Sequence, residues 1–228
     1  EEKLPVVLPK ANRIENLQSL VLRSKYRQQI NSLLNSAIFP RLRKLDLECY
    51  DAPAESGMLS SIRHLSNLHS LKLDGNLKLP SNTNAFPSNL TKITFNLNTF
   101  RDPHPFLKTL GRLTSLKILK LKSMYSYVID DIVVDIGMGE FPQLQVLHMR
   151  YIKFREWRLE RGAMPRLRHL VIDRCEYLYE LPEELWSLTT LRLVHVLWPS
   201  EELAKSLKNV EPRNGCKLRI SNAWQLLE

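Results

Sequence analysis

The side chains best suited to metal binding or catalysis are scattered along the sequence. Zinc sites need several histidines or cysteines at short spacing, and neither residue type clusters in that way. These residues are His64, His69, His104, His148, His169, His195, Cys49, Cys175 and Cys216. There is no Gly-x-Ser-x-Gly nucleophile elbow, and the paired acids Asp130-Asp131 and Glu183-Glu184 lie between the predicted strands. We therefore predict a protein that is not an enzyme and that holds no metal.

The composition is that of an ordinary folded protein with a basic surface. Hydrophobic residues make up 43% of the 228 residues, and no run approaches the roughly 18 apolar residues of a membrane helix. Three unpaired, widely separated cysteines favour a reducing compartment, so we expect a cytoplasmic location. The net charge of +9 is compatible with an acidic protein surface, a nucleic acid or an anionic membrane face as partner.

The elements that would position any site are set by an internal repeat. The pattern Leu-x-x-Leu-x-Leu, with apolar replacements, occurs eight times in the sequence. The first leucines of the copies are Leu17, Leu42, Leu68, Leu90, Leu116, Leu144, Leu167 and Leu188. Their spacing falls within the roughly 20 to 29 residues of leucine-rich repeats. In the eighth copy we place Leu191 and Leu193 inward, with Thr190, Arg192 and Val194 outward.

A second feature recurs in the same phase as the leucines. An apolar residue precedes the first leucine by three positions, and in three copies it is followed by proline: Phe39-Pro40, Phe141-Pro142 and Met164-Pro165. Proline ends a helical segment and disfavours helix in the residue before it. This element therefore suits the junction between a segment on one side of the molecule and the next strand.

These patterns predict an α/β leucine-rich-repeat solenoid with about eight irregular repeats. A curved parallel β-sheet would form its concave face, and short helices or turns its convex face. We expect a single domain over 1–228, with repeats from about 14 to 200, a C-terminal helix and closing strand over 200–220, and a tail over 221–228. The segment 125–140 is either an outward contact loop or a convex helix using Ile132, Val133 and Ile136.

An ordered set of motifs resembles the C-terminal repeats of plant coiled-coil-type nucleotide-binding leucine-rich-repeat (NLR) disease-resistance proteins. The motifs are DPHPFLKTL at 102–110, LTSL at 113–116, FPQLQVL at 141–147, Trp157, GAMPRLRHL at 162–170, Cys175 and LPEEL at 181–185. The resemblance implies recognition of a pathogen effector or a guarded host protein, and an intramolecular contact that holds a nucleotide-binding domain inactive.

The resemblance also bears on cofactors and on the extent of the chain. The sequence has no phosphate-binding loop of the Gly-x-x-x-x-Gly-Lys-Ser/Thr type, so ADP or ATP would bind a nucleotide-binding domain absent from this chain. It also lacks a polar capping repeat at its start, which solenoids need. We therefore expect no cofactor here, a fragment of a larger receptor, and oligomers only through the full-length receptor.

The outward strand positions of repeats four to six carry a mixed basic and apolar set, which we predict to be a protein-binding patch. It consists of Lys92, Ile118, Lys120, Lys122, Val146, His148 and Arg150. Tyr125 and Tyr151 follow two of these strands and are added as possible aromatic anchors, whereas Trp157 is expected to pack inside. The alternative is that these residues are ordinary solvated positions. The patch is suited to an acidic protein surface.

Two other functions stay open at the level of sequence. A leucine-rich-repeat substrate-binding scaffold, such as a ubiquitin-ligase adaptor, would use the same fold and the same open sheet. Nucleic-acid binding is suggested by the net charge alone, but aromatic residues do not interleave with the basic ones as in single-strand binders. We therefore expect no nucleic-acid partner.

Overall fold

The main feature of the molecule is a nine-stranded parallel sheet whose strands follow chain order. The computed structural model describes residues 16–24, 30–31, 33–34, 39–49, 62–75, 83–99, 104–125 and 132–221. The sheet strands are β1 Ser19–Ser24, β2 Lys44–Cys49, β3 Ser70–Gly75, β4 Lys92–Thr99, β5 Ile118–Tyr125, β7 Val146–Arg150, β9 His169–Asp173, β10 Leu193–Leu197 and β11 Lys217–Ser221. A second sheet pairs β6 Val133–Ile136 with β8 Glu156–Leu159, also in parallel.

The strand register stacks the second apolar residue of the first seven patterns in line from repeat to repeat, and Val194 continues the line in the eighth. The stack runs through Leu20, Leu45, Leu71, Ile93, Leu119, Leu147, Leu170 and Val194. From Leu45 onward these side chains are at most 2% exposed, because each repeat covers the apolar side chains of its neighbour. Side chains alternate between the two faces of a strand, so the intervening residues lie on the open face. The predicted leucine-rich-repeat solenoid is confirmed.

The eighth repeat departs from the predicted register by three residues. Val194 pairs with Leu170 and Val196 with Ile172, and both valines are buried. The stretch from Leu188 to Val196 satisfies the repeat pattern twice, once from Leu188 and once from Leu191. Pairing with β9 follows the register that starts from Leu191. The prediction that Val194 points outward is therefore wrong, and the outward positions of β10 are Leu193, His195 and Leu197.

The convex side is built from short, mixed elements. Two α-helices, α1 His104–Gly111 and α2 Glu201–Leu207, and two 3₁₀ turns, Thr83–Ala85 and Glu183–Ser187, have defined bounds. Ile30, Leu33 and Leu34 are also helical and buried. These elements cover the inner side of the sheet. An example is Phe106 of α1, whose ring lies 4.8 Å from that of Phe95 in an edge-to-face contact.

The described part of the segment after β5 forms a strand and not the predicted convex helix. Residues 133–136 form β6, with Ile132, Val134 and Ile136 buried; residues 126–131 lie outside the described part of the chain. The two-residue alternation of Val134 and Ile136 suits a strand, and β8 of the following repeat supplies the pairing partner. The convex helix is therefore corrected to a strand over 133–136, whereas a contact loop over 126–131 stays a prediction.

Two of the residues before proline adopt a left-handed backbone conformation. Phe141 has φ 54° and Met164 has φ 48°, and both side chains are fully buried. The Phe141 N–H donates to the Gly111 carbonyl over 2.6 Å, and the Met164 N–H donates to that of Glu140 over 3.0 Å. Burial of the large side chain and one inter-repeat hydrogen bond offset the cost of a conformation that such residues rarely adopt.

Candidate functional site

The predicted patch lies on the concave face, and the strand register brings its residues together. Ile118 pairs across with Lys92 on one side and with Val146 on the other. In the same way Lys120 pairs with His148, and Lys122 with Arg150. Because adjacent strands are about 4.8 Å apart, these seven residues form one continuous surface. Their role in binding stays a prediction.

The first three strands present a face whose charges are already balanced. We call the outward positions of β1 to β3 the balanced sector; its charged residues are Arg23, Lys44, Asp46, Glu48, Lys72 and Asp74. Arg23 Nε lies 2.8 Å from Glu48 Oε2, and Lys72 Nζ lies 2.6 Å from Asp74 Oδ2 and 3.4 Å from Asp46 Oδ2. The hydrogen bond from Lys72 to Asp74 raises the pKa of Lys72. The cations of this sector therefore bind mainly their own anions.

The later strands present a face with an excess of positive charge. We call the outward positions of β4, β5, β7, β9, β10 and β11 the basic sector. Its basic residues are Lys92, Lys120, Lys122, Arg150, Lys217 and Arg219. Among the described outward positions of these six strands, Asp173 is the one acidic residue, and it is fully buried. An approaching molecule therefore meets cations without exposed counter-charges from the same sector.

One predicted site residue, Arg150, is engaged within the protein. Its Nε lies 3.1 Å from Asp173 Oδ2 on the neighbouring strand. Burial raises the pKa of Asp173, while Arg150 and Arg174 act to lower it. Removal of one partner of a buried ion pair leaves an uncompensated charge and is strongly destabilising. Arg150 thus serves the fold, and the cations open to a partner are mainly the lysines and Arg219.

Two histidines of the basic sector, His148 and His195, have lowered pKa values. Burial, together with the positive charges of Lys120 and Arg150, lowers the pKa of His148 to about 4. Burial and Arg219 lower the pKa of His195, against an opposing effect of Asp173. His148 therefore contributes to the floor of the face as a half-buried neutral ring and adds no charge near pH 7.

Tyr151 lies at the rim of the sheet and belongs to a cation–π stack that was not predicted from the sequence. The residues that follow β7, β9 and β10 are Tyr151, Arg174 and Trp198, with φ of 55°, 52° and 51°. The Arg174 guanidinium lies 5.4 Å from the Tyr151 ring and 5.1 Å from the Trp198 ring, and Arg150 lies 5.1 Å from Tyr151. Arg174 also donates a hydrogen bond to the Tyr151 hydroxyl. These three residues each come directly after the strand in successive repeats, and this shared position could have predicted from the sequence that they lie side by side.

The other two aromatic residues considered for the site are placed differently. Tyr125 ends β5, and its side chain lies outside the part of the chain that is described. Trp157 belongs to β8 on the convex side and is 4% exposed. Trp157 therefore packs inside, as expected from the sequence.

The described residues contain no group of three or more histidine, cysteine, aspartate or glutamate side chains arranged to hold a metal ion. Within the same ranges, none of the helices has the length and apolar character needed to cross a bilayer.

Comparison with known proteins relates the chain to plant proteins. No protein-family model matches it. The disease resistance protein RF45 of Arabidopsis thaliana is 37% identical over 164 residues, which is 69% of this chain and 15% of that protein. The disease resistance protein RF9 of the same plant is 32% identical over 188 residues, or 80% of this chain and 16% of RF9. A late blight resistance protein homologue of Solanum demissum is 26% identical over 174 residues, covering 75% of this chain and 13% of that protein. The chain thus spans less than a fifth of the length of these relatives.

Proposed function

The homologues of this chain are plant disease-resistance proteins of the nucleotide-binding leucine-rich-repeat type, and from that premise we propose that it is the ligand-recognition and autoinhibitory repeat domain of an intracellular immune receptor. Its ligand is a pathogen effector or a guarded host protein with an acidic surface. In the absence of ligand, the same face contacts the nucleotide-binding domain of the receptor.

The observation that carries the proposal is the contrast between the two sectors of the concave face. In the balanced sector, docking of an acidic surface would require existing ion pairs such as Arg23 with Glu48 to be exchanged. In the basic sector, Lys92 and Lys120 are exposed, and their positive charge is not offset by exposed acidic positions of that sector. Complementary charge accelerates association and suppresses the wrong partners.

The apolar positions of the basic sector favour a protein partner. Ile118 and Val146 pair across adjacent strands and are half-buried, so a partner can cover them further. Protein interfaces combine such an apolar centre with a polar rim, and the lysines surround this pair. We infer that the partner places an apolar side chain over Ile118 and Val146 and carboxylates around it.

The first test measures binding of a defined acidic probe. Fluorescence anisotropy with labelled poly-L-glutamate compares the unaltered chain with the variant Lys120→Glu/Lys122→Glu, for which we expect at least tenfold weaker binding. Arg150 is left unchanged because its loss would leave the buried carboxylate of Asp173 without its ion-pair partner on the neighbouring strand. The matched control is Arg43→Glu/Lys44→Glu, which alters the net charge equally at the balanced end. Equal losses in the two variants would mean that binding follows net charge alone, against the proposal.

The second test uses the complete receptor in leaf tissue and measures cell death with and without its effector. Both proposed contacts use the basic sector, so we expect Lys120→Glu/Lys122→Glu to cause effector-independent cell death that the effector does not increase. A receptor that stays silent alone and responds fully to the effector would contradict both the recognition and the autoinhibitory roles.

A further inference from the structure

A second surface lies on the convex side, between the 3₁₀ turn Glu183–Ser187 and the segment that follows α2. The two segments enclose a groove of about 530 Å³, which is within the usual range for pockets that hold ligand groups. We propose that this groove binds a basic amphipathic segment of another protein. The proposal does not depend on the concave face or on the function assigned to it.

The floor of the groove is apolar, and several of its side chains keep a small area exposed to solvent. Leu181 and Trp186 are each 8% exposed, whereas Leu207 is 3% exposed and Val210 is half-buried. All four line the groove. A docked apolar side chain would bury the remaining exposed area of Trp186, and tryptophan is enriched among the residues that dominate binding energy. The floor therefore supplies the apolar half of a binding site.

The rim of the groove is acidic. Glu180, Glu183 and Glu211 line it and are exposed, and none of these three carboxylates forms an ion pair or a side-chain hydrogen bond with another described residue. Arg213 is the one basic residue in the lining. The groove thus carries local negative charge on a chain whose net charge is +9.

Local charge decides the sign of the partner at physiological salt. The Debye length is about 8 Å at 0.15 M ionic strength, so exposed cations of the basic sector, on the opposite side of the sheet, are largely screened from the groove. A basic partner is attracted by the three glutamates near it. An acidic partner would be repelled at the rim even though the molecule as a whole is positive.

The combination of an apolar floor with an acidic rim fits a helix that has apolar side chains on one face and lysine or arginine beside them. Residues three and four apart share one face of a helix, so apolar anchors at that spacing can enter the groove together. The flanking cations then lie over Glu180, Glu183 and Glu211. This is the helix-in-groove mode of peptide recognition, with charge added at the edges.

The test uses a labelled peptide of roughly 15 residues, long enough for partial helix formation in water, with leucines on one face and lysines elsewhere. We expect the chain to bind it and the variant Glu180→Lys/Glu183→Lys/Glu211→Lys to bind at least tenfold more weakly. The matched control is Glu176→Lys/Glu184→Lys/Glu202→Lys, which reverses three exposed charges outside the groove and should change affinity less than threefold. A peptide with glutamate in place of lysine should not bind this groove.

Three results would overturn the proposal. The first is equal affinity of the basic peptide for the rim variant and for the control variant. The second is equal binding of the glutamate peptide, lost in the rim variant. The third is self-association in sedimentation velocity that the rim variant abolishes, since the groove would then be filled by a second copy.

Two further variants separate the parts of the proposal. Val210→Gln, which alters the half-buried floor, should weaken peptide binding without lowering the melting temperature. An unchanged affinity of this variant would contradict the apolar part of the proposal. Lys120→Glu/Lys122→Glu should leave peptide binding intact, so failure of either proposal is separately visible.

Discussion

At the scale of single residues, His148 illustrates how the fold alters the chemistry of a side chain on the open face. His148 occupies an outward strand position but is half-buried, and this burial, together with the positive charges of Lys120 and Arg150, lowers its pKa to about 4. An unfolded histidine has a pKa near 6.5. The ring is therefore neutral in the folded protein over a pH range where the unfolded chain is protonated.

This difference predicts a pH-dependent loss of stability. Between pH 6.5 and 4 the unfolded state binds the extra proton, so the free energy of unfolding falls as the pH falls through this window. From pH 7 to pH 5 we expect His148 to account for about 2 kcal/mol of that loss. His148→Gln should remove this contribution, while the effects of His195 and Asp173 remain in both proteins. The measurement is urea unfolding at pH 7, 6 and 5; parallel stability curves for the two proteins would show that His148 is not perturbed by its neighbours.

Residue-scale pairing also explains which part of the site escaped prediction. Alternation along the strands correctly places Lys92, Lys120 and Lys122 on the open face, since burial of the leucines leaves no other face for them. The pairing of Arg150 with Asp173 joins two different repeats. The leucine pattern within one repeat therefore cannot predict it. In the same way, the stacking of Arg174 on its aromatic neighbours depends on a left-handed backbone after the strand.

At the scale of elements, the repeats were predictable where the leucine pattern has one solution. Seven of the predicted copies pair in the expected register, because a slip by one residue would move every buried side chain into solvent. The eighth copy has two solutions separated by three residues, since Leu191 can serve as the first or as the second leucine. Packing against β9 resolves the choice, and this packing is tertiary. The strand β6 was missed because its few apolar residues fit a helix nearly as well until β8 is present beside it.

The corrected register of β10 leads to a prediction on stability. Val194 is fully buried between repeats, so Val194→Lys should lower the free energy of unfolding by about 3 kcal/mol or more, because it places a charge in the core. Val171, on the adjacent strand β9, is outward and half-buried, and Val171→Lys should cost less than about 1 kcal/mol. Chemical denaturation of both variants provides the comparison. A loss for Val194→Lys as small as that for Val171→Lys would favour the register first predicted from Leu188, in which Val194 is outward.

At the scale of the whole molecule, the charges are arranged by surface. Three exposed glutamates border the convex groove, while the concave face changes from balanced to basic along the chain. The repeat architecture makes this possible, because each repeat presents its own outward residues without altering the buried leucines. The net charge does not reveal which surface is basic. The sequence does not reveal it either, because lysines and arginines occur along the whole chain.

The length of the basic sector predicts how an extended acidic molecule would bind. Lys120 and Lys122 on β5 are separated from Lys217 and Arg219 on β11 by four strand spacings, or roughly 19 Å. Substitutions this far apart, with no shared contacts, have additive effects. For poly-L-glutamate, which can span the distance, we expect Lys120→Glu/Lys122→Glu and Lys217→Glu/Arg219→Glu each to weaken binding about tenfold, and their combination about a hundredfold.

The same three variants distinguish an extended partner from a compact one. A folded acidic protein centred on Ile118 and Val146 should be insensitive to the pair on β11, because exposed charges beyond the Debye length are screened. Lowering the salt to 0.01 M extends that length to about 30 Å, so the β11 pair should then begin to affect the association rate even for the compact partner. Stopped-flow measurements at both salt concentrations test this. If the effect of the β11 pair on poly-L-glutamate disappears once the β5 pair is reversed, the basic sector does not act as one continuous surface.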